Sequence, residues 1–296
     1  MNTTMDTTFD SSPADLSDVA ATALLTLYAR ALESQSDDPI LVDEKAVEIS
    51  HRLSPRLAAS PDRMLRSLAS GKISQQLSIH LTLRASKYDV YTRQFLDHSP
   101  GGTVINIGCG MDTRFYRVDN GQVHFFDLDL PEVIHFKREF VDEGPRYRLI
   151  AASVFDYAWM DQVDREGTKP LLFLAEGVFM YLDPENVRAL FIDLRKRFPG
   201  SELVCEVINK RWISKSMQPL LRIKMQRQLG IGADATFKFG IADGREPETW
   251  SPGIQLIDEW SYFDSKHPKL GLVGFMGRSE LFRKTQWTVH YRLGNT

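Results

Sequence analysis

Apolar positions along this chain recur first at helical and then at strand spacing. Ala20, Leu24, Leu27 and Ala31 mark one face of a helix over residues 19–32, with Ser17 or Asp18 placed to cap it. A second helix is expected at 43–52, and a third from Pro61 until Gly71 interrupts it. Between 73 and 96 the period is clearest. Ile73, Leu77, His80, Arg84, Tyr88, Tyr91 and Phe95 share one stripe. Arg84 lies in its middle. A guanidinium cannot shed its charge, so an inward arginine needs an anion. That anion is either a ligand or a structural acid, unless the side chain snorkels to the surface. Periodicity leaves these readings open.

Short apolar runs follow at 104–107, 124–126, 148–152, 171–175 and 203–208, with helical stretches between them. Such strand–helix alternation reads as an α/β sheet. Pro131 opens a helix carrying Ile134 and Phe140, and residues 157–163 form another. The helix from 183 to 198 turns Val187, Leu190, Phe191 and Leu194 inward, and Pro199-Gly200 ends it. Residues 212–229 are helical, interrupted by Pro219 and rich in Met and basic residues, which suits either a lid or an ordinary packed helix. Residues 230–253 are loop-rich and 254–263 amphipathic. Residues 287–293 alternate as a final edge-type or antiparallel strand.

The chain has 296 residues, room for about two domains or one large α/β domain. Its 43% hydrophobic and 25% charged content are ordinary for a globular protein. A net charge of −3 argues against a nucleic-acid binder with a broad basic face. Cys109 and Cys205 are too few for a disulfide framework or a cysteine zinc site, and the histidines show no metal spacing. No apolar run reaches the length of a membrane span. Residues 1–18 have no basic start and no apolar stretch, so they are expected to be disordered rather than a secretory signal, in a cytoplasmic enzyme.

The chemistry centres on residues 104–129. An apolar strand runs into Gly108 and Gly110, where the backbone can turn sharply and a ligand can come close. A second strand then ends in Asp127 and Asp129, which lie 17 and 19 residues past Gly110. Acids at that distance can reach the ribose hydroxyls of a nucleoside. Thr113 stands where a dinucleotide fingerprint needs its third glycine. A methionine-derived ligand presents one negative charge against the two of a pyrophosphate, so a glycine pair followed by a distant acid suits S-adenosylmethionine (SAM). In an open α/β sheet ligands lie beyond the carboxyl ends of the strands. Ser153, Val154 and Asp156 are therefore placed to touch an adenine, with a helix cap as the other reading of Asp156. Glu176 closes the apolar run at 171–175 and precedes Gly177. It either holds the ammonium of the cofactor's methionyl part or pairs with a buried arginine.

Four motifs, LRASKYDVYTRQFL, VINIGCGMDTRFYR, FFDLDLPEVI and LLFLAEGVFMYL, stand in the order found in the leucine carboxyl methyltransferase family. From about residue 70 to its end the chain resembles that family, and within it the bacterial tetracenomycin-type polyketide carboxyl O-methyltransferases. The resemblance implies a class I, Rossmann-like α/β fold with a seven-stranded sheet. A helical cap is expected at 19–100, a SAM-binding core at 101–205, a lid or substrate insertion at 206–255, and C-terminal strands completing the core at 256–296. It implies SAM as methyl donor and a small-molecule carboxylate as acceptor, with no nucleic-acid or membrane partner. Carried over by position, Arg84 binds the SAM carboxylate, Gly108 and Gly110 line the methionyl part, and Asp129 (with Asp127 beside it) holds the ribose. Ser153 and Val154 contact adenine, though the eukaryotic enzymes carry an acid at the position of Ser153. Glu176 meets the methionyl amine, and Tyr181 stands near the acceptor.

A carboxylate acceptor with a pKa near ~4 is ionised at neutral pH and needs no general base, whereas a phenol near ~10 is helped by one. No histidine stands at a motif end; His80, on the face of Arg84, is the candidate catalytic base. The competing readings are a hydroxyl O-methyltransferase on the same fold and a SAM-binding protein without activity.

Overall fold

The computed structural model describes residues 18–163, 170–214 and 237–294. The disorder expected before residue 18 lies outside the described residues, as does most of the helix expected at 212–229; residues 211–214 form a turn.

Four helices come first: α1 (Asp18–Ser34), α2 (Glu44–Ala58), α3 (Arg63–Ala69) and α4 (Gln75–His98). Short acids start two of them. Asp43 Oδ1 accepts the Ala46 N–H at 3.0 Å, and Asp62 Oδ1 accepts those of Met64 and Leu65. Helix α2 runs to Ala58, past the end expected at residue 52. Pro55 removes one helical hydrogen bond, but Leu53 and Leu57 bury fully on either side of it and hold the last turns in place. Gly71 turns the chain after α3 with a φ of +68°.

The sheet has seven strands: β1 (Thr103–Ile107), β2 (His124–Asp129), β3 (Tyr147–Ala151), β4 (Leu171–Ala175), β5 (Ser201–Ile208), β6 (Ile254–Trp260) and β7 (Gln286–Leu293). Their order is β3-β2-β1-β4-β5-β7-β6. The first five are parallel and β7 runs antiparallel to both its neighbours. Strand β7 is antiparallel, as one of the two sequence readings has it, but it is interior. The amphipathic 254–263 stretch supplies the edge strand β6 instead. Val289, Tyr291 and Leu293 of β7 are fully buried, while β6 exposes Asp258, a charge that discourages further strand pairing.

The parallel strands read as unbroken apolar runs because both faces of the sheet are covered. Leu172 and Leu174 of β4 pack with Val104 and Val204 against Leu81 and Tyr88 of α4 and Leu24 of α1. Leu171, Phe173 and Ala175 face the other way, onto Leu190 and Leu194 of the later helix Pro184–Arg197. Burying a side chain such as Phe173 contributes about 1.5–3 kcal/mol. The helices before residue 100 thus form one layer of the core. Strand β5 continues to Ile208 and β6 opens at Ile254, so both limits of the expected 206–255 insertion fall inside strands. Among the described residues no helix is long and apolar enough to cross a membrane.

Candidate active site

The carboxyl ends of β1, β2 and β4 open onto one cavity of about 1060 Å³. That is at the upper end of the ~300–1,000 Å³ usual for small-molecule sites. At its floor the chain turns with φ of +62° at Gly108 and +48° at Gly110. Side chains are excluded there by neighbours too. A Cβ on Gly108 would lie 2.5 Å from Val178 Cγ2, and one on Gly110 2.9 Å from Ala23 Cβ. Bare backbone is therefore presented to whatever occupies the cavity.

The two acids of β2 part company. Asp129 Oδ2 accepts the Gly110 N–H at 2.7 Å, and Oδ1 accepts that of Leu130 at 2.7 Å. Burial pushes its carboxyl up, and these two N–H groups offset the push only in part. It lines the cavity. Asp127 points to the same side of the strand but lies deeper, and it does not line the cavity. Its carboxylate is taken by Lys137 Nζ at 2.7 Å, Asn106 Nδ2 at 3.0 Å and the Tyr147 hydroxyl at 2.5 Å. Asp127, expected beside Asp129 at the ribose, is thus bonded to protein groups and stands back from the cavity that Asp129 lines.

Arg84 projects from α4 into the cavity wall and is 8% exposed. Its Nε donates to Glu176 Oε1 at 2.9 Å and its Nη1 to Glu206 Oε2 at 2.7 Å. Among the described residues Nη2 has no acceptor. Glu176 is also held by Arg114, whose Nη2 donates to Oε2 at 2.6 Å. Burial pulls Glu176 up, but Arg84 and Arg114 outweigh it, and the carboxyl stays below its ordinary value. Glu206 keeps a raised value, since burial exceeds what Arg84 offsets. So Arg84 lines the cavity and pairs with two protein acids, one of the alternatives that periodicity leaves open.

The charge chain continues outward. Arg114 Nε donates to Asp89 at 2.8 Å and its Nη1 to Asp112 at 2.6 Å; Arg117 joins Asp89 to Asp43. Asp43, which caps α2, also takes Arg30 Nε at 2.9 Å and the Thr113 hydroxyl. The helix caps and the glycine turn are thereby tied together. Thr113 has a structural use in the place where a dinucleotide site would carry glycine.

Ser153, Val154, Tyr181 and His80 line the same cavity. Asp156 does not; it caps the turn Tyr157–Trp159 through the Ala158 N–H, which decides between its two readings. Tyr181 packs its ring against Phe237 at 5.2 Å, and burial pushes its hydroxyl up to about 12. His80 meets Tyr262 edge-on at 4.4 Å. Cys109 and Cys205 are free and buried, and burial pushes both thiols well above their ordinary value. No group of three or more His, Cys, Asp or Glu able to hold a metal occurs among the described residues.

Sequence reasoning passed over Glu206, Arg114, Asp112 and the cavity face of α1, which includes Thr22, Thr26 and Arg30. Glu206 carried a signal. It is the single acid of the apolar run 203–208, as Glu176 is the single charge in its own apolar stretch. Arg30 carried none, since its approach to the glycine turn depends on how α1 packs.

A family model described as leucine carboxyl methyltransferase matches residues 23–194. The tetracenomycin polyketide synthesis O-methyltransferase TcmP of Streptomyces glaucescens is 30% identical over 84% of this chain and 85% of its own. The S-adenosyl-L-methionine-dependent methyltransferase dpfgK of Gibberella zeae is 27% identical over 95% of this chain and 94% of its own. Among solved structures, a DUF574 family protein from Streptomyces avermitilis superposes with a TM-score of 0.56 at 12% identity, covering 92% of this chain and 96% of that one. At that identity the likeness is one of fold.

Proposed function

The chain belongs to the leucine carboxyl methyltransferase family, and from that premise we propose that this SAM-dependent methyltransferase acts on a carboxylate of a small apolar molecule and yields a methyl ester. The residues present suit the cofactor. Two glycines leave bare backbone at the cavity floor, and among the described residues Asp129 has no cation bonded to it and Arg84 keeps one nitrogen free of acceptors. In this reading Arg84 takes the cofactor carboxylate and Glu176 its ammonium. Gly108 and Gly110 line the methionyl chain, Asp129 holds the ribose, and Ser153 with Val154 borders the adenine.

The cofactor supplies a methyl carbon already activated by its sulfonium. The chain's task is to align the acceptor with it and exclude water. The observation that carries the carboxylate reading is Tyr181. It lines the cavity, and its hydroxyl, protonated at neutral pH like any tyrosine's and raised further by burial, is available to donate a hydrogen bond rather than to take a proton. A carboxylate, already ionised, accepts that bond and needs no proton removed. TcmP is named for tetracenomycin polyketide synthesis. For this chain an aromatic or polyketide-like acid is the acceptor we infer, and the apolar wall around Leu77, Phe237, Phe263 and Leu270 supports it.

The second reading, a hydroxyl acceptor, is favoured by His80, which lines the same cavity and would serve as the base. Product made with methyl-labelled SAM separates the two. Hydroxide releases methanol from an ester under mild conditions, whereas an aryl methyl ether survives. Label lost as volatile methanol after brief base treatment is the expected result; label retained in the product overturns the ester and brings the His80 reading forward.

A further inference from the structure

Strands β4 and β5 are parallel neighbours in which Ala175 pairs with Cys205. The next residue along each chain segment is an acid, Glu176 just past the end of β4 and Glu206 within β5. Two carboxylates side by side in a buried sheet repel each other unless a cation lies between them. Arg84 is that cation, with Nε on Glu176 and Nη1 on Glu206. The two acids are not equivalent. Glu176 is paired with Arg114 as well as with Arg84. Glu206 is 3% exposed, forms its one ion pair among the described residues with Arg84, and hydrogen-bonds Gln286. Glu206 does not line the cavity, whereas Arg84, Glu176 and Gln286 do.

We propose that Glu206 is a positioning residue for cofactor capture: by holding Arg84 Nη1 from the sheet side, it fixes the guanidinium plane so that Nη2 faces the cavity. This rests on the reading that Arg84 receives the cofactor carboxylate. An arginine side chain has several rotatable bonds, and one hydrogen bond at Nε leaves the outer fork free to swing. A second at Nη1 removes that freedom before the ligand arrives, which is how preorganisation adds affinity. A role as mere neutraliser of Arg84 would have the opposite sign. Removing a competing carboxylate would then tighten the cofactor's hold on the guanidinium.

Two variants separate geometry from charge. Glu206→Gln keeps the side-chain length and an acceptor oxygen but loses the charge. Glu206→Asp keeps the charge but stops one methylene short of Nη1. Calorimetry with SAM and with its demethylated product, which share the same amino-acid end, reads both. Positioning predicts that Glu206→Asp binds either ligand about tenfold more weakly, the scale of one hydrogen bond to a charged group. Glu206→Gln should stay within about threefold of the parent on the same scale. At saturating SAM the kcat of Glu206→Asp should match the parent, so the loss appears in the cofactor KM alone. Thermal melts of both variants confirm folding. Equal or tighter binding in Glu206→Asp, or a larger loss in Glu206→Gln, overturns the inference. Arg84→Lys is the control for the underlying reading. If it leaves SAM affinity unchanged, the Arg84 assignment falls and this inference falls with it; if it weakens SAM while Glu206→Asp does not, only the positioning role is lost.

Discussion

Asp129 accepts the backbone N–H of Gly110 at 2.7 Å, closing the gap of 19 residues between the second glycine of the turn and the acid at the end of β2. The acid therefore braces the turn with one oxygen while lining the cavity. A β-strand end and a glycine turn that would otherwise move separately become one surface.

That bond separates Asp129 from Asp127. Asp129→Asn is expected to weaken SAM binding by about 1.5–3 kcal/mol, the worth of a hydrogen bond to a charged group. Asp127→Asn leaves Lys137 buried without its carboxylate partner and should cost about 3–5 kcal/mol of stability with little change in affinity for the folded protein. Calorimetry and denaturant titration on both variants check this. A loss of affinity confined to Asp127→Asn would refute the assignment.

Arg84→Ala removes the one cation bonded to Glu206 among the described residues and the candidate anchor of the cofactor carboxylate. Binding of SAM should fall by about 2–5 kcal/mol, the range for truncating one partner of a buried charge pair. Stability should fall as well. The two effects separate when affinity is measured on the folded fraction; unchanged affinity there would leave Arg84 a purely structural ion-pair residue.

Gly108→Ala tests the floor of the cavity. A φ of +62° strains an alanine by about 1–3 kcal/mol, and its methyl would fall 2.5 Å from Val178 Cγ2. Lower thermal stability and weaker SAM binding are both expected. A variant as stable as the parent would show that the turn can relax.

Acid should loosen the junction of α1, α2 and the glycine turn. Burial alone would raise Asp43, but Arg117 and Arg30 overcome it and hold the carboxyl below its ordinary value. A lowered folded value means that its stabilisation is complete above the unfolded value of about 3.9 and is lost as pH falls through the folded one. Glu206 and Asp129 are raised and act the other way, favouring the folded state as pH falls. Denaturant titrations from neutral pH downward should show stability dropping below about pH 4, and Asp43→Asn should flatten that limb. An acid limb identical in the variant would remove Asp43 from the account.

The sequence alone determined what depends on near neighbours along the chain. Apolar runs of five or six residues mark strands buried on both faces, and β4 shows the reason in its alternate packing of Leu172 and Phe173. The glycine turn was legible because its positive φ values belong to the residues themselves. The helix Pro184–Arg197 was legible because its four inward residues follow the helical period.

Only the tertiary structure decided what depends on partners far apart in sequence. Asp127 and Asp129 share a strand face and a residue type. Their different roles follow from Lys137 and Tyr147 closing around one of them. Strand β7 alternates as an edge strand does, yet it lies between β5 and β6, because strand order is set by which faces pack and not by local pattern. Arg84 and Glu206 meet across 122 residues. Nothing in the helical period of one or the strand period of the other encodes that meeting; it exists because α4 lies across the sheet where Glu176, just past the end of β4, and Glu206, within β5, stand side by side.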